Sequence, residues 1–236
     1  MHVSFAIVAG LVAAAMLGCQ RDKAEPVADC ARVDATSYRA KGKALVGDVD
    51  ADGAGDRVTL RLDAKRPARC RHLVVAQLEG GGTAVATVPP LGWPGGNPQL
   101  LLLAEVDGRP GLEPVVTLSP ANVYRPGMVF TLSRGELLRM RLENATAPER
   151  FPLYDEFPAG VDCAGRQGTI VVTRSRIADG GDRFWSVTRS FYRSAAKARF
   201  AFVRAEQFLV EVGDEAAARW PEVLNEPFLR CPSRVG

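Results

Sequence analysis

Asp48-Val-Asp-Ala-Asp-Gly-Ala-Gly-Asp56 runs directly into Arg57-Val-Thr-Leu-Arg-Leu62, an acidic, glycine-broken turn followed by an alternating apolar segment. Period-two alternation reads as a half-buried β-strand, and Asp and Gly ahead of it read as the turn that feeds it. Asp48, Asp50 and Asp52 occupy alternate positions and Asp56 closes the stretch. In a tight loop their mutual repulsion raises carboxylate pKa values and loosens the turn unless a cation intervenes. Calcium takes six to eight hard oxygens, which such a loop supplies from carboxylates and backbone carbonyls, so Asp48, Asp50, Asp52 and Asp56 are the expected metal ligands. An EF-hand does not fit: the twelfth position is Thr59 instead of Glu, and a strand follows, not a helix.

The pattern recurs. Asp107-Gly-Arg-Pro-Gly-Leu-Glu113 leads into Pro114-Val-Val-Thr117, and Glu113 lies 113 − 56 = 57 positions beyond Asp56. Gly165-Arg-Gln-Gly168 stands at the same offset from Gly108-Arg-Pro-Gly111, without acids, so Val58, Val115 and Val172 share one column. A fixed period marks stacked supersecondary units, here a loop feeding a strand. Around them, His72–Ala76, Thr83–Val88, Leu100–Ala104, Met128–Leu132, Glu136–Leu142, Thr169–Ile177, Arg183–Arg193 and Ala198–Arg204 read as further strands, with Gly80-Gly-Gly82 as a hairpin break. One helix is expected, Asp214–Trp220, capped by Asp214 and limited by Pro221. The expected fold is mainly β: antiparallel hairpin and meander sheets in a partial propeller-like or irregular assembly, with that short C-terminal helix.

Composition fits a packed body, with 47% hydrophobic and 24% charged residues among 236. Thirty Lys+Arg against 27 Asp+Glu leave +3, a near balance without the basic footprint of a nucleic-acid binder. The first 18 residues carry no Lys, Arg, Asp or Glu, and the apolar run Phe5–Leu17 ends at Gly18-Cys19 before polar Gln20-Arg-Asp-Lys23. That run is too short to span a bilayer and reads as a secretory signal. A Cys directly after it is the expected site of acylation, Cys19, whose chains would hold the protein to the membrane.

Cysteine usage agrees with export. Setting Cys19 aside leaves Cys30, Cys70, Cys163 and Cys231, an even number that suggests two disulfides with three pairings open. Cys30–Cys70 with Cys163–Cys231 is favoured because each closes one half of the chain. No CxxC occurs, which argues against zinc. Of the two His, His2 falls in the signal and His72 sits on a strand as a half-buried structural residue. GxSxG, HExxH, Walker A and dinucleotide fingerprints are all absent. The remaining catalytic alternative is a pair of carboxylates from Glu136 or Asp155-Glu156, as a secreted hydrolase of cell-wall polymer would use.

DxDxDGxxD running into a strand resembles the FG-GAP or VCBS-type repeat of α-integrin-like propellers, and Gly18-Cys19 after the apolar run resembles a bacterial lipoprotein signal. Together they resemble small secreted bacterial lipoproteins with degenerate copies of the repeat. The resemblance implies calcium at the first loop, a β architecture and an adhesive or binding role. Three periods of 57 do not supply the blades of a closed propeller. The expected organisation is a signal over 1–18, a tether over 19–42, the repeat region over 43–145, a Pro-rich connector over 146–162 and a second β region over 163–236. The expected function is a lipid-anchored extracytoplasmic binding or envelope-associated protein, not a catalyst. Its expected partners are the membrane, through its anchor, and a cell-surface protein or wall polymer. Two surface features accompany this: a basic stretch from Arg166 to Arg204 answered by acids from Glu206 to Glu226, and a Pro-rich loop carrying Trp93.

Overall fold

The computed structural model describes Cys30 and residues 34–90, 97–118, 125–154, 159–163, 168–178, 184–196, 198–211 and 229–233. The signal, Cys19, Trp93, Asp155-Glu156 and the Asp214–Trp220 helix lie outside the described residues.

The chain folds as three antiparallel sheets in sequence order. The first is a four-stranded meander of β1 (Arg39–Gly47), β2 (Asp56–Leu62), β3 (His72–Gln77) and β4 (Thr83–Val88). The second is built on β5 (Gln99–Ala104), β6 (Glu113–Thr117) and β7 (Arg125–Ser133). The outer edge of β7 is shared by β8 (Glu136–Arg139) and, after the two-residue β9 (Arg141–Leu142), by β10 (Phe151–Tyr154). The third sheet is the meander β11 (Ala159–Cys163), β12 (Thr169–Ile177), β13 (Phe184–Ala195) and β14 (Arg199–Glu211). There β15 (Leu229–Arg230) runs parallel beside β11, and β9 parallel beside β14.

Burial on both faces explains the apolar runs. In β3, Val74 and Ala76 face the second sheet, while Leu73 and Val75 face Tyr38 on the outside. All five residues of β6 are buried; Val116 packs with Val58, Leu60 and Phe130 toward the first sheet. Val115 and Val129 pack with Phe151, Val172, Tyr192 and Phe200 toward the third. A strand with cores on both sides has no solvent face, so alternation gives way to a continuous apolar run.

The period of 57 is visible in the register. Leu45 pairs with Val58 and Leu102 with Val115; Gly47 pairs with Asp56 and Ala104 with Glu113. Val172 pairs with Val161, two residues nearer than the period predicts, so the third hairpin is shorter. Val58, Val115 and Val172 are all fully buried. Two strands fall where Pro148, Pro152 and Pro158 suggested a connector, β10 and the start of β11. Pro152 is accommodated because β10 is an edge strand, where a missing N–H costs no ladder bond. Likewise β1 begins at Arg39, inside the stretch read as tether.

Two disulfides close the fold, Cys30–Cys70 with Cα atoms 5.6 Å apart and Cys163–Cys231 with Cα atoms 4.8 Å apart. The second anchors a C-terminal strap: beyond β15, the Pro232 carbonyl accepts from Glu105 N–H at 2.8 Å, and Ser233 bridges to Ala104. Among the described residues no helix is long and apolar enough to cross a membrane.

Candidate functional site: a stack of three loops

The loops that join the first two strands of the first and second sheets lie one on the other, and Gly168, just before β12, lies against the second. Leu112 N–H of the second donates to the Asp48 carbonyl of the first at 2.8 Å. Gly111 takes φ +110°, and a Cβ there would stand 2.7 Å from the Val49 carbonyl oxygen. One period later Gly168 takes φ +71°, and a Cβ would stand 2.7 Å from the Asp107 carbonyl oxygen. Both positions need glycine for the left-handed backbone and for the contact distance.

In the first loop, Asp48, Asp50 and Asp56 each bring a carboxylate oxygen within 4.8 Å of the others, an arrangement able to hold a metal ion. Asp52 does not join them; its Oδ1 accepts from Ala54 N–H at 2.7 Å and its Oδ2 lies beside Gly80. The reason is local: left-handed Ala51 and Gly53 coil the chain there, and Asp52 is spent as a turn residue. Asp48 accepts from Asp52 N–H and Gly53 N–H, both at 3.1 Å. Asp56 is fully buried at the start of β2. Its Oδ2 accepts from Val49 N–H at 2.7 Å and Asp50 N–H at 3.3 Å, and its Oδ1 from Glu79 N–H at 3.0 Å. It therefore ties the loop to the turn between β3 and β4. Loss of water contact raises the Asp50 pKa above the usual carboxylate value, with repulsion from Asp56 and Asp52 adding to it.

The second loop repeats the frame with different contents. Glu113 Oε2 accepts from Val106 N–H at 2.7 Å, the same bond that Asp56 makes with Val49. Asp107, at the position of Asp50, is buried as Asp50 is not. Asp107 Oδ1 accepts from Arg109 N–H at 2.8 Å, and its Oδ2 lies 3.4 Å from the Thr131 hydroxyl. Arg109 Nε stands 3.9 Å from that carboxylate, and its Nη2 donates to the Ala195 carbonyl at 2.8 Å, joining this loop to the third sheet. Burial first, then the charge of Asp107, pushes the Glu113 carboxyl up to about 8. The period also places Glu105 under Asp48, a correspondence legible in the sequence that the Asp/Gly spelling of the motif hides. Glu105 is exposed, and the convergence seen in the first loop does not recur there.

Among the described residues one cleft adjoins this frame and a second lies apart from it. One of about 450 Å³ lies between the second and third loops, lined by Glu105, Arg109, Cys163, Gly168 and Pro232. The larger, about 580 Å³, runs between β4 and β8. Its Glu149 is held between Arg139 and Arg141, so that carboxylate is engaged in ion pairs. Glu136, at the β7–β8 turn, also lines it. His72 is half-buried on β3; burial, then the charges of Lys41 and Arg71, lowers its pKa to about 4. In the basic stretch, Glu206 bridges Arg189 and Arg204, Glu143 meets Arg199, and Arg204 stacks 3.8 Å over Phe191. Tyr192 is buried against Phe202.

No protein-family profile, curated protein or solved structure matches the chain.

Proposed function

We propose that this chain is an exported, membrane-tethered binding or envelope-associated protein whose three-sheet scaffold is braced by calcium at the first loop. Cys19 is the anchor, at the extracytoplasmic face, and a surface protein or wall polymer is the partner. On this reading the three loop–strand units are degenerate copies of the FG-GAP or VCBS type. Two disulfides support export, since such bonds persist in oxidising compartments. The observation that carries the reading is the convergence of Asp48, Asp50 and Asp56 at the outer tier of the loop stack. Three carboxylate oxygens match the hard-ligand preference of calcium, which backbone carbonyls and water would complete. Bound there, the ion would neutralise the repulsion around Asp50 and fix the loop end for contact with a partner.

Calorimetric titration of the purified protein with calcium tests the metal. Heat of binding and a raised melting temperature are expected, both lost in Asp50→Asn; no heat and no shift would refute it. Mass spectrometry of the mature N-terminus tests the anchor, with an acylated Cys19 expected.

A further inference from the structure

The first sheet is charged at both ends, with opposite sign. At one end lies the acidic loop, where Gly47 pairs with Asp56. At the other, Arg39 pairs with Leu62 and Leu62 with His72, and the turn from β2 to β3 projects beyond them. Asp63 N–H closes that turn on the Arg71 carbonyl at 3.0 Å. The turn carries Lys65, Arg66, Arg69 and Arg71, and all four, like Arg39, are exposed. The acids beside them are Asp34, which caps Thr36, and Asp63, which meets Arg66 at 3.3 Å. Among the described residues no carboxylate pairs with Lys65, Arg69 or Arg71. The charges of Lys41 and Arg71 both reach His72, so positive charge extends across this end from β1 to β3. Cys70 stands between Arg69 and Arg71 and is bonded to Cys30, with Cα atoms 5.6 Å apart. Cys30 lies 30 − 19 = 11 residues beyond Cys19, a reach of at most about 40 Å.

We propose that this basic end of the first sheet is a docking surface for anionic phospholipid headgroups, and that it holds the acidic loop away from the bilayer. The inference rests on the Cys19 anchor proposed above, which brings the surface to the membrane. Acyl chains and a basic cluster reinforce one another, because negative headgroups attract each Lys or Arg that approaches them. Arg69 and Arg71 flank the disulfide at which the tether meets the sheet, so the tether presents this end to the bilayer. The seven residues of β2 separate the two ends by about 20 Å. Over that distance the surface potential is screened, so Asp48, Asp50 and Asp56 face the medium instead of the headgroups.

The test equilibrates the mature protein, purified from cells, between vesicles of phosphatidylcholine and vesicles that also contain about one-third phosphatidylglycerol. Retention on pure phosphatidylcholine reads the anchor, and the ratio between the two populations reads the surface. A ratio well above one at about 0.1 M salt is expected, falling toward one at about 1 M, where the screening length shrinks to about 3 Å. Lys65→Gln, Arg69→Gln and Arg71→Gln are each expected to lower it by about fivefold, without a change in melting temperature. Arg174→Gln and Arg176→Gln, at exposed positions of β12, are expected to leave it unchanged. A ratio near one with retention intact would overturn the docking surface and leave the anchor standing. Protein held by the phosphatidylglycerol vesicles alone would support the surface and refute the anchor; protein held by neither would refute both. A preference that the three turn substitutions do not lower, or that the β12 substitutions lower equally, would overturn the proposal by placing the attraction elsewhere.

Discussion

Individual carboxylates in this fold do different work according to their depth. Asp56 is an acceptor for three backbone N–H groups from two turns, and no neutral side chain of its size accepts three times in those directions. Asp56→Asn must turn its amide NH₂ toward Glu79 N–H or toward Val49 and Asp50, leaving a buried donor facing a donor. A loss of about 2 kcal/mol is expected, and about 3 for Asp56→Ala, read from urea unfolding. A change below about 0.5 kcal/mol would show that the loop and the β3–β4 turn hold without it. His72 behaves oppositely to Glu113. Its pKa falls from 6.5 to about 4 in the fold, so its contribution is whole above pH 6.5 and is lost as pH falls through about 4. His72→Gln is expected to flatten part of the acid-side decline in melting temperature while leaving the neutral value nearly unchanged. Half-burial keeps that effect modest.

At the scale of elements, the sequence displayed the strands and the loop–strand period, because turn residues and alternation are local signals. The Arg57–Leu62 alternation became β2 and the Val58 column became the buried centre of each sheet. What the sequence did not display was set by local backbone geometry at Asp52 and, elsewhere, by partners far along the chain. Asp52 looks equivalent to Asp48 and Asp50 in spacing, yet between left-handed Ala51 and Gly53 its Oδ1 accepts from Ala54 N–H and it stays outside the Asp48, Asp50 and Asp56 group. Phe151–Tyr154 looks like connector because of its prolines, yet it is ordered as an edge strand by β7. The burial of Asp107 depends on the Gly168 backbone and Arg109's reach to Ala195, neither of which a local pattern contains. Glycines provide the test of loop stacking. Gly53 has φ +89° with open space around it, whereas Gly111 combines φ +110° with a contact at 2.7 Å. Gly53→Ala is expected to cost about 1 kcal/mol, from backbone strain alone. Gly111→Ala and Gly168→Ala are expected to cost about 2 to 3 kcal/mol, because they also push neighbouring loops apart. Equal losses at all three positions would show that the loops are not stacked in solution.

For the whole molecule, stability rests on two cores that share the second sheet, and the disulfides guard them unequally. Cys30–Cys70 spans 40 residues, and Tyr38, which clusters with Leu73 and Val75, donates its O–H to the Cys70 carbonyl at 2.6 Å. Cys163–Cys231 spans 68 residues, and Cys231 itself belongs to the core between the second and third sheets. Chain-entropy arithmetic assigns each bond about 4 kcal/mol, a small difference between loops of these lengths. Packing separates them. Opening Cys163–Cys231 frees β15 from β11 and the Pro232–Ser233 strap from the second sheet, exposing Val161 and Leu229 to water. Opening Cys30–Cys70 releases Cys30 from the short 3-10 turn Ala68–Cys70. The paired replacement Cys163→Ser with Cys231→Ser is therefore expected to lower the melting temperature more than Cys30→Ser with Cys70→Ser. It is also expected to raise hydrogen exchange in β11 and at Glu105, while the second replacement leaves those amides protected. Equal losses, or exchange confined to the first sheet in both variants, would mean that the strap does not bind the second and third sheets together.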